Sequence, residues 1–129
     1  MHETKDGFVF ETFKDGKAIF YRESYIRHCS YHSAIRGEEG RNNIQSALIN
    51  PNLITSYIES GKMKLQCKIY RNFIGRVKTS RGYEREYWEI IINKNSKIRT
   101  KIVTAYRTSS MEYAIINNRI ETKVEYKKH

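Results

Sequence analysis

Strand patterns dominate the second half of the chain, and they constrain the fold more than any other feature of the sequence. Apolar and polar residues alternate over residues 63–70, which is typical of a half-buried strand with a basic outer face. Two further strands are predicted over residues 83–92 and 97–107, with a turn over residues 93–96 between them. A shorter strand is predicted over residues 54–58. The short connections favour an antiparallel meander.

The first half predicts a hairpin followed by helices. Asp15 and Gly16 lie between two short apolar and aromatic runs, which is a strong hairpin signal because glycine adopts positive φ without steric cost. Ser24 is a candidate N-terminal cap for the first helix. The residues that recur after it at helical spacing are Tyr25, His28, Cys29, His32, Ile35 and Arg36.

Two glycines and a proline bound the second predicted helix. Gly37 and Gly40 are expected to break the first helix, and a second is predicted over residues 41–49. It must end there because Pro51 disfavours helical backbone at the residue before it. Together these elements predict an α+β fold, in which an N-terminal hairpin and two helices pack on an antiparallel sheet of about four strands.

The C-terminal end is expected to add a short helix. Ser109 followed by Glu112 is a capping-box signature for a helix that reaches about residue 117. Residues 120–126 predict a final strand or a tail. The whole chain is interpreted as a single domain. Its parts are the hairpin and helices (1–60), the basic antiparallel sheet (61–108) and a C-terminal extension (109–129).

Positive charge is concentrated in the same half as the strands. Residues 1–60 hold 7 Lys and Arg against 8 Asp and Glu, a net charge of −1, whereas residues 61–129 hold 17 against 6, a net charge of +11. A basic, β-rich surface favours nucleic acid as a partner, with acidic proteins and membrane surfaces as alternatives. The residues that we predict to contact RNA are Tyr70, Arg76, Lys78, Arg81, Arg85 and Arg107. Guanidinium groups suit this role because they match phosphate oxygens in a bidentate way.

Two histidines and three strand residues are candidates for chemistry. His28 and His32 are four residues apart, so on a helix they project from one face with Cβ atoms about 5–6 Å apart. Imidazole can act as a general acid or base on a phosphodiester, although both residues could also be ordinary helix positions. Arg71 could stabilise the charge of a phosphorane. Thr104 and Tyr106 share one face of the last strand, where they could bond a phosphate, although both types are common in strands.

The cysteines and the ends of the chain add little functional information. Cys29 and Cys67 form no disulfide framework, fit a reducing compartment and are typical core residues. The sequence contains no paired Cys-x-x-Cys and no zincin motif, so we predict neither a metal nor another cofactor. We find no signal-peptide pattern and no apolar run near the roughly 20 residues of a membrane span. A cytoplasmic location without a membrane partner is expected.

Five segments, taken in order, resemble a known superfamily. They are DGKAIFYRESYIRHCSYHSAIRG, NNIQSALINPNLI, KIYR, YWEIIIN and KIVTAYRTSS. In this order and spacing they are similar to the barnase–EndoU–colicin–RelE-like (BECR) ribonucleases, particularly the phage-associated branch found in toxin and phage polypeptides. The resemblance covers roughly residues 15–108. It departs from the family pattern in the acidic, glycine-rich segment 37–43 and in the length of chain after the last strand.

The resemblance implies a metal-independent endoribonuclease with two N-terminal helices on an antiparallel sheet. By position, His32 matches the helical histidine that precedes the Asn-Pro pair, and His28 matches a more N-terminal histidine of some members. Arg71 matches the arginine of a Tyr-Arg strand. Thr104 and Tyr106 match the closing strand.

We therefore expect a toxin that cleaves RNA by attack of a ribose 2′-OH on the adjacent phosphate, leaving a 2′,3′-cyclic phosphate. His32 would be the general base or acid with His28 as its partner, while Arg71, aided by Arg76 or Lys78, would stabilise the phosphorane. The expected partners are RNA and an acidic antitoxin or immunity protein. The alternatives are a non-catalytic nucleic-acid-binding module that uses the same basic sheet, and a metal-dependent nuclease.

Overall fold

The computed structural model describes residues 1–58, 67–94, 99–109 and 121–129. In these residues the helical segments are α1 (Arg22–Tyr31), a 3-10 turn (Ser33–Ile35) and α2 (Gly37–Ile49). The strands are β1 (His2–Glu3), β2 (Gly7–Glu11), β3 (Lys17–Tyr21), β4 (Leu53–Ile58), β5 (Cys67–Thr79), β6 (Gly82–Asn93), β7 (Thr100–Thr108) and β8 (Glu121–Lys127).

All eight of these strands belong to one mixed sheet. Their order across the sheet is β1-β2-β3-β7-β6-β5-β4-β8. Neighbouring strands are antiparallel except for β3 and β7, which run parallel with Ala18 opposite Thr100 and Ile19 opposite Lys101. The first hairpin and the last strand therefore extend the sheet at its two ends.

The predicted fold class is wrong in its sheet. We expected about four antiparallel strands with the hairpin packed on them, but the sheet has eight strands and mixed direction. The physical reason lies in the strand edges, since each exposed edge presents unpaired N–H and C=O groups. Strand β3 of the hairpin pairs with part of the β7 edge, and β8 pairs with the edge of β4. The short helix predicted after Ser109 lies outside the described residues.

The first hairpin is confirmed, but its connection is longer than a two-residue turn. Glu11 pairs with Lys17, so residues 12–16 form the loop. The Thr12 hydroxyl donates to the Gly16 carbonyl at 2.7 Å and accepts from the Asp15 amide at 2.8 Å. Gly16 has a φ of +71°, the left-handed conformation that glycine tolerates. The loop turns the Asp15 side chain inward.

The helices begin earlier than the sequence pattern indicates. The first helix begins at Arg22, directly after β3, so the predicted cap Ser24 lies inside it. It ends at Tyr31, and the amide of His32 closes the last turn by donating to the His28 carbonyl at 2.8 Å. The second helix ends at Ile49, as predicted from the proline that follows.

Gly40 lies within α2 and does not break a helix. A Cβ at this position would lie 2.2 Å from the carbonyl carbon of Ile35. Only a residue without a side chain permits this contact between α2 and the 3-10 turn. The glycine therefore allows α2 to pack closely on the 3-10 turn.

The core lies between the two helices and one face of the sheet, which we call the helix face. Tyr70, Ile90 and Ala105 are in register on β5, β6 and β7 and are fully buried there. The opposite side, which we call the far face, is also buried near the centre of the sheet, where Ile69 and Tyr87 lie. The helices contribute to the helix-face core through Tyr25, Cys29, Ile44, Ala47 and Leu48. The central strands are consequently buried on both faces.

Candidate active site and basic ribbon

A backbone carbonyl orients the imidazole of His28. Its Nδ1 lies 2.7 Å from the carbonyl oxygen of Ser24, one helical turn earlier. Because a carbonyl only accepts, Nδ1 carries the hydrogen, and Nε2 is left to accept or deliver a proton. The ring packs edge-on against Phe20 at a centroid distance of 5.7 Å. This half-buried histidine is held at two points, and no described residue hydrogen-bonds its Nε2.

His32 lies beside His28 even though it is outside the helix. The two rings are nearly parallel, with centroids 6.4 Å apart and an interplanar angle of 25°. On its other side His32 contacts the ring of Tyr106 at 5.3 Å. Burial lowers the pKa of His32, and the charge of His28 lowers it further. Near neutral pH the imidazole of His32 is therefore uncharged and able to take up a proton.

Tyr106 lies where the edge of β7 is open to the helical layer. The strand β3 pairs with β7 only at Thr100 and Lys101, and α1 follows directly after β3. The first helix and the 3-10 turn accordingly contact the rest of β7. This arrangement places the C-terminal end of α1 beside Tyr106. The histidine–tyrosine cluster (His28, His32 and Tyr106) depends on this parallel pairing.

Thr104 and Tyr106 share one face of β7, as the alternation predicts. Thr104 lies opposite Ile91 and Tyr106 lies opposite Glu89 on β6. Both side chains are half-buried. Thr104 therefore presents its hydroxyl on the same face as Tyr106, two residues along the strand.

Arg71 does not present its charge to solvent. The side chain is fully buried, and its Nε donates to the Glu89 carboxylate at 2.8 Å. One terminal nitrogen also lies 3.4 Å from the Thr55 hydroxyl. Burial raises the pKa of Glu89, while the Arg71 charge opposes that rise. A guanidinium group already balanced by a buried carboxylate is not available to a phosphate, so we assign Arg71 a structural role.

Tyr70 is also fully buried, and its hydroxyl is bound by the carboxylate of Asp15, which was not among the predicted site residues. Its hydroxyl donates to Asp15, whose side chain is fully buried. Lys68 and Lys94 contact the same carboxylate at 2.7 and 3.0 Å. Burial alone would raise the pKa of Asp15, but the hydrogen bonds from Lys68, Tyr70 and Lys94 outweigh it and lower the pKa. The Asp-Gly pair predicted the turn, but nothing local to it predicted partners more than 50 residues away.

The other predicted RNA contacts fall into two groups. Arg81 pairs with Glu84 at 2.8 Å, and Arg107 forms a close ion pair with Glu86. By contrast, the structure shows no carboxylate within ion-pair distance of three exposed cations among the residues it describes. These are Arg76, Lys78 and Arg85. They are the predicted contacts most available to a phosphate.

An open groove of about 350 Å³ connects this basic region with the helical layer. Ala34, two residues after His32, lines one side of it, and Val77, Arg107 and Ser109 line the other parts. Val77, Thr79 and Glu86 lie on the face of the hairpin opposite Arg76, Lys78 and Arg85. The groove therefore lies between the hairpin and the 3-10 turn on the helix face, and those three cations do not line it.

The described part of the chain shows neither a metal cluster nor a membrane helix. In residues 1–58, 67–94, 99–109 and 121–129, no three His, Cys, Asp or Glu side chains come together as ligands. No helix within the same ranges is long and apolar enough to cross a bilayer.

Comparison of this chain with protein-family models, with curated proteins and with solved structures finds no match. The resemblance to the BECR ribonucleases therefore rests on the sequence segments alone.

Proposed function

We propose that this protein is a metal-independent endoribonuclease, and that it acts as a toxin. The observation that supports this function best is the pairing of the His28 and His32 rings beside Tyr106. Two imidazoles within reach of one phosphodiester supply a base and an acid for the same reaction. The net charge of +10 favours a polyanionic substrate.

In the proposed reaction His32 is the general base. Its lowered pKa keeps it neutral, so it takes the proton of a ribose 2′-OH as the 2′-oxygen attacks the adjacent phosphorus. His28 in its protonated form donates from Nε2 to the departing 5′-oxygen. The P–O5′ bond breaks, leaving a 2′,3′-cyclic phosphate and a 5′-OH end. The Tyr106 hydroxyl, next to His32, is the group we assign to a phosphoryl oxygen, with Thr104 as a second donor.

The test compares two double variants that each remove two histidines. The chain has four histidines, and His2 and His129 are exposed and distant in sequence from the cluster. We expect the wild type and His2→Ala/His129→Ala to cleave total RNA in EDTA. We expect His28→Ala/His32→Ala to lose at least about 100-fold in rate, as for a lost acid–base pair. End-group analysis should find a cyclic phosphate.

Three outcomes would contradict the proposal. They are no cleavage by the wild type, cleavage that EDTA abolishes, and wild-type rates in His28→Ala/His32→Ala. The second outcome would instead indicate a metal-dependent nuclease.

The burial of Arg71 favours a second candidate function, a non-catalytic nucleic-acid-binding module. The arginine expected to stabilise the phosphorane is paired with Glu89, whereas the exposed cations of the β5–β6 hairpin are free to bind phosphate. This candidate predicts salt-sensitive binding of RNA that stays intact, and no effect of either histidine double variant on affinity.

A toxin that cleaves RNA would require a partner that blocks it in the cell that makes it. We infer an acidic antitoxin or immunity protein, because residues 61–129 have a net charge of +11. The substrate would place the activity in the cytoplasm.

A further inference from the structure

The hairpin formed by β5 and β6 extends beyond the strands on both sides of it. On one side β4 begins at Leu53, opposite Arg71, and on the other β7 ends at Thr108, opposite Tyr87. Residues 74–86, which we call the ribbon, pair only with each other within the described chain. The ribbon is a two-stranded arm that projects from the sheet.

The two faces of the ribbon differ in charge. Arg76 lies opposite Arg85, and Lys78 lies opposite Tyr83, so these four side chains share one face, which we call the cationic face. All four are exposed. The other face holds Glu84 and Glu86, both half-buried and paired with Arg81 and Arg107. The cationic face therefore has three positive charges and no carboxylate.

Arg76 and Arg85 lie directly opposite each other on the ribbon, so their like charges repel in the free protein. Like charges directly opposite each other on neighbouring strands are destabilising. Arg85 is held over the ring of Phe73, with its guanidinium carbon 4.5 Å from the ring centroid, which fixes its position without neutralising its charge. An anion bound between the two guanidinium groups would remove the repulsion. Two guanidinium groups without a carboxylate partner, one of them held in place, suit a phosphate site.

Tyr83 adds an aromatic surface to these cations. Its side chain is 73% exposed and lies on the cationic face opposite Lys78. A basic surface with an exposed aromatic ring is typical of sites for single-stranded nucleic acid, because unpaired bases stack on the ring while phosphates contact the cations. A duplex offers no free base face to such a ring. The aromatic residue thus favours a single strand over a duplex.

The cationic face is on the same side of the sheet as the tyrosine of the candidate active site. Arg85, Tyr87 and Glu89 alternate along β6 and share the far face, and Tyr106 lies opposite Glu89. Arg85 and Glu89 are four residues apart, about 13 Å along β6. Tyr106 lies one strand beyond Glu89, on the edge of β7 that contacts His32. A strand of RNA a few nucleotides long can span that distance.

We propose that the cationic face of the ribbon binds a single-stranded RNA segment next to the cleavage site, with phosphates on Arg76, Lys78 and Arg85 and a base stacked on Tyr83. This inference rests on the proposed ribonuclease function, because it names the class of substrate on which the histidines would act. It makes single-stranded regions of RNA the substrate.

The test measures binding without cleavage. Fluorescence anisotropy of the full chain with His28→Ala/His32→Ala would follow a labelled single-stranded RNA and a duplex of equal length. We expect the single strand to bind more tightly. Tyr83→Ala should weaken it about 5- to 150-fold, and Tyr83→Phe should restore it because stacking needs the ring and not the hydroxyl.

The arginines are tested against a matched control. Each phosphate contact on a single strand contributes about −0.7 to the slope of log K against log salt. Arg76→Ala/Arg85→Ala removes two such contacts, so the slope should become less negative by about 1.4. Arg81→Ala removes a cation that Glu84 already pairs, so the slope should stay near the starting value. Circular dichroism would confirm that each variant is folded.

This assignment would be overturned if the duplex binds more tightly than the single strand. It would also be overturned if both Tyr83→Ala and Arg76→Ala/Arg85→Ala bind RNA with the affinity of the starting protein. Cleavage by the wild type is scored separately. If the wild type cleaves RNA but the ribbon variants bind and cleave normally, the ribbon assignment fails and the ribonuclease proposal survives. If the ribbon variants lose binding but no form of the protein cleaves, the ribonuclease proposal fails.

Discussion

The ring of His32 lies against the ring of Tyr106, 5.3 Å between centroids, although the two residues are 74 positions apart in the chain. On its opposite side the same imidazole stacks near His28. Burial lowers the pKa of this ring, and the charge of His28 lowers it further.

The first prediction concerns pH. Because burial, and then the charge of His28, lowers the pKa of His32, its proton should be lost below the ordinary value of about 6.5. A reaction that needs neutral His32 as base should rise with pH through a midpoint below 6.5. Tyr106→Ala should expose the ring and move the midpoint upward, whereas Tyr31→Ala, at a tyrosine 74% exposed, should not. Proton NMR titration and the pH profile of kcat/KM measure this, and a midpoint above 6.5 in the wild type would contradict it.

The second prediction separates a structural from a catalytic Arg71. Removing one partner of a buried ion pair typically costs about 3–5 kcal/mol, so Arg71→Ala should strongly lower the free energy of unfolding. Replacing both charges, as Arg71→Met/Glu89→Met, should be close to neutral for stability. If Arg71 is structural, the double variant should also keep RNA cleavage. If the double variant is stable and folded but does not cleave RNA, Arg71 has a catalytic role.

The third prediction concerns the buried carboxylate of Asp15. Asp15→Asn leaves Lys68 and Lys94 without their shared partner and should cost on the order of 2 kcal/mol of unfolding free energy. Tyr70→Phe, which removes only the hydroxyl, should cost about 1 kcal/mol. Urea unfolding of the three proteins gives both values. Equal stability of Asp15→Asn and the wild type at neutral pH would show that the cluster contributes nothing.

The third prediction extends to acidic pH, through the pKa of Asp15. The pKa of Asp15 is lower in the folded protein than its ordinary value of 3.8, so the unfolded chain binds the proton more readily. The stabilisation is complete above that value and is lost as pH falls through the lower, folded pKa. The difference in stability between the wild type and Asp15→Asn should therefore shrink below pH 3.8, which urea unfolding across this range would measure.

The fourth prediction concerns Gly40. A methyl group here would lie 2.2 Å from the backbone of Ile35, so Gly40→Ala should force α2 away from the 3-10 turn and destabilise the fold by about 1–3 kcal/mol. Asn42→Ala, at an exposed position of the same helix, should be neutral or slightly stabilising because alanine favours helix. Thermal unfolding of both variants tests this. A stable Gly40→Ala would mean that the close contact is not needed.

The fifth prediction is that one substitution stabilises the ribbon and weakens its binding of RNA. Arg76→Glu replaces a like-charge pair with an opposite-charge pair across the ribbon, worth about 0.2–1 kcal/mol. Amide hydrogen exchange should slow in the ribbon, while affinity for single-stranded RNA should fall. Faster exchange together with unchanged affinity would contradict both parts.

Local patterns predicted the first hairpin, the helices and the central strands, but several of their bounds are wrong, and the buried charges depend on distant partners. The hairpin, the end of α2 and the central strands follow from turn residues, the proline and alternation. Burial of Arg71 could not be predicted, because alternation gives one inward face whereas this strand is buried on both. The partners of Asp15 lie more than 50 residues away. The spacing of His28 and His32 did predict adjacent rings, although His32 lies just past the helix.

The parallel contact between β3 and β7 has a consequence during synthesis. Tyr106 belongs to β7, which pairs with β3 through Thr100 and Ala18, so a growing chain lacks the assembled histidine–tyrosine cluster until that late strand has left the ribosome. A harmful activity built in this way would stay silent on every incomplete copy.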